Sequence, residues 1–220
     1  MTSSQNQPLK TESRSIESTG WRNILAKSSA GQPITRSTRA ANARVVLLID
    51  VSGSMDGGPL DEAKRGANNF AKEAIGSGYS VALVSFGSTA CVQSDFTFDA
   101  DALGQCIARL AVSGSTNMAA AFAEGGRLFD KAGTTSAVCV VTDGCPDDRD
   151  LTIQEAATLK QRGIDILTLG TESADHDFLR SIASSKELAH KGNSRTLSAD
   201  MGRLAKLLPS CAGRGLLDGS

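Results

Sequence analysis

The sequence predicts an α/β fold: a doubly wound, mostly parallel central sheet with one antiparallel edge strand and helices on both faces. Three observations lead there. Apolar runs such as VVLL at 45–48 and VCVV at 138–141 are continuous, as in strands covered on both faces. Segments of helical period alternate with these runs along most of the chain, which implies parallel strands joined by crossovers. One gap, Gly87-Ser88-Thr89, is too short for a crossover and forces a hairpin.

ARVVLLID (43–50) reads as the first buried strand. PLDEAKRGANNFAKEAIG (59–76) is a helix with Pro59 in its first turn, and Leu60, Ala63, Ala67, Phe70, Ala71 and Ala74 share one face. YSVALVSFG (79–87) is a second strand. ACVQSDFTF (90–98), more polar and alternating, is the antiparallel edge strand. DADALGQCIARL (99–110) and NMAAAFAEGGRLFDKAG (117–133) are helices, and SAVCVVTDG (136–144) is a strand ending in polar residues. DLTIQEAATLKQRG (150–163) is a helix with Thr152 and Glu155 at capping-box spacing. IDILTLG (164–170) is a strand, ADHDFLRSIASS (174–185) a helix, and 188–191 a short edge strand. SADMGRLAKLLP (198–209) is the closing helix, stopped by Pro209.

The 220 residues suffice for one domain with a hydrophobic core. We place it at 43–208, between a flexible arm (1–42) and a tail (209–220). The arm is rich in Ser and Thr, and its basic residues Lys10, Arg14, Arg22, Lys27, Arg36 and Arg39 outnumber Glu12 and Glu17. Trp21-Arg-Asn-Ile-Leu25, with the only Trp, is its one docking candidate. A net charge of −1 gives no electrostatic case for nucleic acid or an anionic membrane. No apolar run reaches the ~20 residues that cross a bilayer. The N-terminus shows no apolar stretch of a secretory signal, and the five cysteines are odd in number with no CxxC pair. Free thiols in a reducing, cytoplasmic setting are the expectation.

Polar residues gather where the strands end. In an open parallel sheet, ligands bind beyond the carboxyl ends of the strands. Asp50, Ser52 and Ser54 leave the first strand, Thr116 sits in the loop GSTNM before a helix, and Asp143 ends VVTDG. Alternate residues of extended chain point one way, so Asp50, Ser52 and Ser54 face one point while Gly53 lets the backbone curl. All five side chains offer hard oxygen, with neither His nor Cys. That donor set suits Mg²⁺ or Mn²⁺ over zinc. Two carboxylates barely neutralise a divalent ion, so an open coordination position would attract an outside carboxylate.

DVSGSM, then GSTNM, then VVTDG resemble the metal-ion-dependent adhesion site (MIDAS), D-x-S-x-S … T … D, of the von Willebrand factor A (VWA) domain. The resemblance covers roughly 43–208 and implies a Rossmann-like sheet. It implies that Ser52 and Ser54 bind the metal directly, Thr116 directly or through water, and Asp50 and Asp143 mostly from behind. It also implies a protein partner that completes the coordination with its own Asp or Glu. In some members this is coupled to a shift of the last helix, here 200–208. Stand-alone bacterial members act as adaptors beside kinases and phosphatases, as in tellurite-resistance (TerY-like) clusters. Others are accessory subunits of AAA+ ATPases of the MoxR or chelatase type, usually with further domains.

Competing readings are weaker. Asp50 and Ser54 as mere helix caps would leave Thr116 and Asp143 unexplained. Of Asp147, Asp148 and Asp150, one reads as a helix cap and the others as a solvated face. Cys145 reads as a harmless thiol, and His176 and His190 as solvated or structural. G-x-S-x-G and GxxxxGK[ST] are absent, and no general base is evident beyond the site's aspartates. A metal-dependent hydrolase is the remaining enzymatic alternative, and we expect a non-enzyme.

Overall fold

The computed structural model describes residues 43–129 and 135–208. The arm at 1–42 with its Trp21 segment, the tail at 209–220 with Cys211, and the expected helical residues 130–133 lie outside the described residues.

Six strands form one sheet in the order β3-β2-β1-β4-β5-β6. They are β1 (Arg44–Asp50), β2 (Ser80–Phe86), β3 (Ala90–Thr97), β4 (Ser136–Thr142), β5 (Ile164–Gly170) and β6 (Ala189–Lys191). Only the β2–β3 pair is antiparallel, as the short hairpin gap requires. β1 is central because it is apolar on both faces. Val45, Leu47 and Ile49 enter one core layer, and Val46 and Leu48 the other. Each fully buried aliphatic side chain contributes about 1.5–3 kcal/mol. β3 keeps an exposed, alternating face, consistent with its polar sequence.

Helices cover both faces. α1 (Gly58–Gly76), α2 (Ala100–Ala108) and α6 (Leu197–Ala205) pack on the first layer. α3 (Met118–Arg127), α4 (Arg149–Gln161) and α5 (His176–Ile182) pack on the second. The apolar stripe expected on α1 is buried, together with Gly66. A Cβ at Gly66 would lie 2.4 Å from Met201 Sδ and 3.0 Å from Ser198 Cα, so α1 and α6 cross closely only with glycine there.

Two local expectations are corrected. The helix expected over 117–133 ends at Arg127, after Gly125 and Gly126 weaken its last turn. α4 does not use the Thr152/Glu155 box. Asp148 is its N-cap, accepting from Leu151 N at 2.9 Å, and the Thr152 hydroxyl donates back to Asp148 O. The aspartate lies upstream and reaches the first free N–H groups before a threonine inside the helix can.

The chain leaves β1 towards β2 on one side, while β4 lies on the other. This reversal opens a crevice beyond the carboxyl ends of β1 and β4. Asp50 and Asp143 stand at those two ends.

Candidate metal centre

Asp50 is the last residue of β1 and is 0 % exposed. Its Oδ1 accepts from Ser52 N at 2.8 Å, and its Oδ2 accepts from Thr142 Oγ1 at 2.5 Å. The Thr142 hydroxyl also accepts from Gly144 N at 3.1 Å. Asp50 therefore braces the backbone of two loops at once: the one carrying Ser52 and Ser54, and the one carrying Asp143. Burial pushes its carboxyl above the usual aspartate range. The Ser52 and Thr142 hydrogen bonds oppose this, and the negative charge of Asp143 adds to it.

Ser52 is buried, and its Oγ lies 3.1 Å from Ser54 Oγ. Ser54 Oγ donates to Asp143 Oδ1 at 2.7 Å. The chain between the serines is a 3-10 turn, Gly53–Met55, pinned by the fully buried Met55. This corrects one expectation, since the extended alternation stops at Ser52. The chain does curl at Gly53, without a positive φ; that falls at Gly57 (φ 74°), the N-cap of α1. Neither Asp50 nor Ser54 caps α1, so the capping alternative fails.

Thr116, 8 % exposed, precedes α3 in a loop held from three sides. From the loop after β1, Val51 O accepts from Ser113 N at 2.6 Å, and Gly53 N donates to Gly114 O at 3.0 Å. From the hairpin, Gly87 O accepts from Asn117 N at 2.8 Å, and Ser88 Oγ accepts from Ser115 N at 3.0 Å. From the loop before α4, Asp147 accepts from Thr116 N at 3.1 Å and from Ser115 Oγ at 2.6 Å. Gly114 (φ 72°) allows one of these close approaches, since a Cβ there would sit 2.1 Å from Ser88 Oγ. A Cβ built on Gly144 would lie 3.4 Å from Thr116 Oγ1 and 3.9 Å from Ser54 Oγ, so those two hydroxyls flank one point.

The structure thus brings Ser52, Ser54, Asp143 and Thr116 to one crevice, and sets Asp50 behind them. In an octahedron with Mg–O distances of about 2.0–2.1 Å, neighbouring oxygens stand roughly 2.9 Å apart. The Ser52–Ser54 and Ser54–Asp143 pairs are hydrogen-bonded at 3.1 and 2.7 Å, spacings that an oxygen octahedron also accommodates. The donor set and its spacing fit a small, hard divalent cation. Among the described residues, no three His, Cys, Asp or Glu side chains cluster as a metal site; hydroxyl groups supply most of this one.

Sequence reasoning missed two participants. Thr142 enters through register: Ile49 pairs with Val141, so Asp50 and Thr142 come side by side one step further. Asp147, read as part of a solvated face, instead turns to the Thr116 loop, while Asp148 is the cap and Asp150 is exposed. Cys145 is exposed with a free thiol, and the other described cysteines are also free.

His176 and His190 both border a cleft of about 70 Å³ between α5 and β6. Neither Nε2 meets a hydrogen-bond partner among the described residues.

The family model for the von Willebrand factor type A domain matches residues 45–206. The vWF domain of the type V pili tip protein Mfa5 from Porphyromonas gingivalis superposes with a TM-score of 0.70 at 15% identity, over 81% of this chain and 98% of that one. A von Willebrand factor type A protein from Catenulispora acidiphila gives 0.64 at 22%, over 75% of this chain and 42% of that one. Proximal thread matrix protein 1 from the mussel byssus, in a structure with a zinc-occupied MIDAS motif, gives 0.64 at 23%, over 79% and 46%. This chain spans less than half of the latter two, and at these identities the likeness is one of fold. No curated protein matches the sequence. Among the described residues, no helix is long and apolar enough to cross a membrane.

Proposed function

The chain belongs to the von Willebrand factor type A domain family, and on that premise we propose that it is a metal-dependent protein-binding module whose MIDAS takes a partner's carboxylate. The observation that carries this is the convergence of Ser52, Ser54 and Asp143 oxygens at 2.7–3.1 Å, with Thr116 beside them, on an Asp50 brace. Ser52, Ser54 and Thr116 would hold the ion, with Asp143 behind them as the acceptor of the Ser54 hydroxyl. When bound, it supplies an electrophilic point that an external Asp or Glu completes. Asp50 fixes the two loops and keeps both its oxygens occupied by Ser52 and Thr142.

The all-oxygen donor set supports Mg²⁺ or Mn²⁺. The zinc-bearing mussel relative makes zinc a necessary control. The free thiols among the described residues support a reducing, cytoplasmic setting. Within the family, the reading we favour is an adaptor in a bacterial stress or kinase/phosphatase system of the TerY type. A partner AAA+ ATPase is the alternative, and we assign no catalysis to the chain.

The test is capture with the full chain from a lysate of the source cell, using wild type and Thr116→Ala, each with Mg²⁺ and with EDTA. A partner held only by wild type in Mg²⁺, and released by free acetate, is the expected result. Its identity as kinase, phosphatase or ATPase selects the system. A partner retained in all four arms would overturn the metal-bridged reading.

A further inference from the structure

We propose that Asp147 is a positioning residue of the metal centre, locking the Thr116 loop to the Asp143 loop so that their oxygens are presented together; this rests on the metal-binding reading above. Asp147 lies four residues after Asp143 and belongs to no part of the D-x-S-x-S … T … D pattern. Its contacts run to the Thr116 loop in three ways. Oδ1 accepts from Thr116 N at 3.1 Å, Oδ2 accepts from Ser115 Oγ at 2.6 Å, and its own N donates to Thr116 O at 3.0 Å. Both backbone polar groups of Thr116 are therefore held by one residue. The Thr116 hydroxyl itself makes no hydrogen bond among the described residues, which leaves it free for a ligand.

The simpler roles for Asp147 are filled by others. Asp148 is the N-cap of α4. An exposed aspartate would ordinarily be hydrated and free to rotate. Here its backbone is fixed on both sides, by the buried ring of Pro146 before it and by the Asp148 cap after it. Holding the carboxylate against Thr116 then costs little further freedom, and the reciprocal pair closes a ring between two loops that are distant in sequence. Without it, Thr116 would still be tied to β1 and the hairpin, but its registry with Asp143 would loosen. Groups standing behind a metal's ligands typically change its affinity by about 10–100-fold when removed.

The experiment is a calorimetric titration of Mn²⁺ into the full chain, comparing wild type, Asp147→Ala, Asp147→Asn and Asp99→Ala. The amide of Asp147→Asn still accepts from Thr116 N and donates to Ser115 Oγ, so the lock survives without the charge. Asp99 caps α2 by accepting from Asp101 N and Ala102 N, away from the site, so Asp99→Ala controls for lost stability. The expected result is an affinity about 10–100-fold weaker in Asp147→Ala, and within about threefold of wild type in the other two. Unchanged affinity in Asp147→Ala overturns the proposal. Equal weakening in Asp147→Asn overturns it in favour of a charge effect, and equal weakening in Asp99→Ala overturns it in favour of general destabilisation. A wild type that binds no Mn²⁺ sinks the metal-binding reading itself, which is a separate result.

Discussion

Replacing Asp50 by Asn separates what this carboxylate does for the fold from what it does for the ion. The group is fully buried, its two oxygens take the Ser52 N–H and the Thr142 hydroxyl, and Asp143 adds negative charge nearby. Burial outweighs the hydrogen bonds and raises its carboxyl above 3.8. A carboxyl raised in the folded state gives a stability contribution that is full below 3.8 and lost as pH climbs through the raised value. The Asn amide keeps the Ser52 acceptor and removes the buried charge. Its NH₂ must share the Thr142 oxygen with Gly144 N. These effects oppose each other, so metal-free stability near neutral pH changes by no more than about 1 kcal/mol. Asp50→Ala instead leaves two buried donors unpaired, at about 1–3 kcal/mol each, or roughly 2–6 kcal/mol together. At about 2–4 °C per kcal/mol for a domain of this size, its Tm falls by roughly 4–24 °C. Thermal unfolding in EDTA reads both variants. The difference Asp50→Asn minus wild type should also grow with pH above 3.8, because only wild type carries the titrating group. With Mg²⁺ added, wild type gains stability and Asp50→Asn gains much less. The reasoning is refuted if Asp50→Asn falls as far as Asp50→Ala in EDTA, or if it gains as much from Mg²⁺ as wild type.

Saturating wild type with Mg²⁺ at about 100 times its Kd should add about 2.7 kcal/mol, or roughly 5–10 °C of Tm. Scanning calorimetry should show this gain reversed by EDTA and missing from the double variant Ser52→Ala/Ser54→Ala. Gly87→Ala should cost about 2–4 kcal/mol in urea unfolding, because its Cβ would lie 1.7 Å from Ser113 O, a backbone atom of the Thr116 loop. The same variant should bind Mn²⁺ more weakly in calorimetry. Arg149→Ala removes an exposed ion pair to Asp175 at 2.6 Å and the guanidinium over the Phe178 ring. It should change stability by less than about 1 kcal/mol and leave metal affinity unchanged.

Much of this arrangement is written locally. Continuous apolar runs marked β1 and β4 as central strands, and three residues between Phe86 and Ala90 dictated the hairpin. The five candidate site residues could be picked out because each ends or follows a strand, or precedes a helix, in a sheet whose ligand-binding end is fixed by topology. What escaped depends on register or competition. Thr142 matters only because Ile49 pairs with Val141, and a parallel register cannot be read from two apolar runs alone. Asp147 meets Thr116 across 31 residues of chain, so nothing beside it in sequence signals the pairing. Thr152 and Glu155 have the spacing of a cap, yet Asp148 stands nearer the helix end and takes that role. The curl expected at Gly53 is a 3-10 turn held by the buried Met55, which ends the extended alternation at Ser52.

The most direct measurement is a crystal of the full chain grown with Mn²⁺ and exposed at a wavelength where manganese scatters anomalously. The account predicts one strong peak bounded by Ser52 Oγ, Ser54 Oγ, Thr116 Oγ1 and the Asp143 carboxylate, with Asp50 behind it still bonded to Ser52 and Thr142. An empty crevice in crystals whose manganese is bound elsewhere, or a peak on other residues, would contradict it.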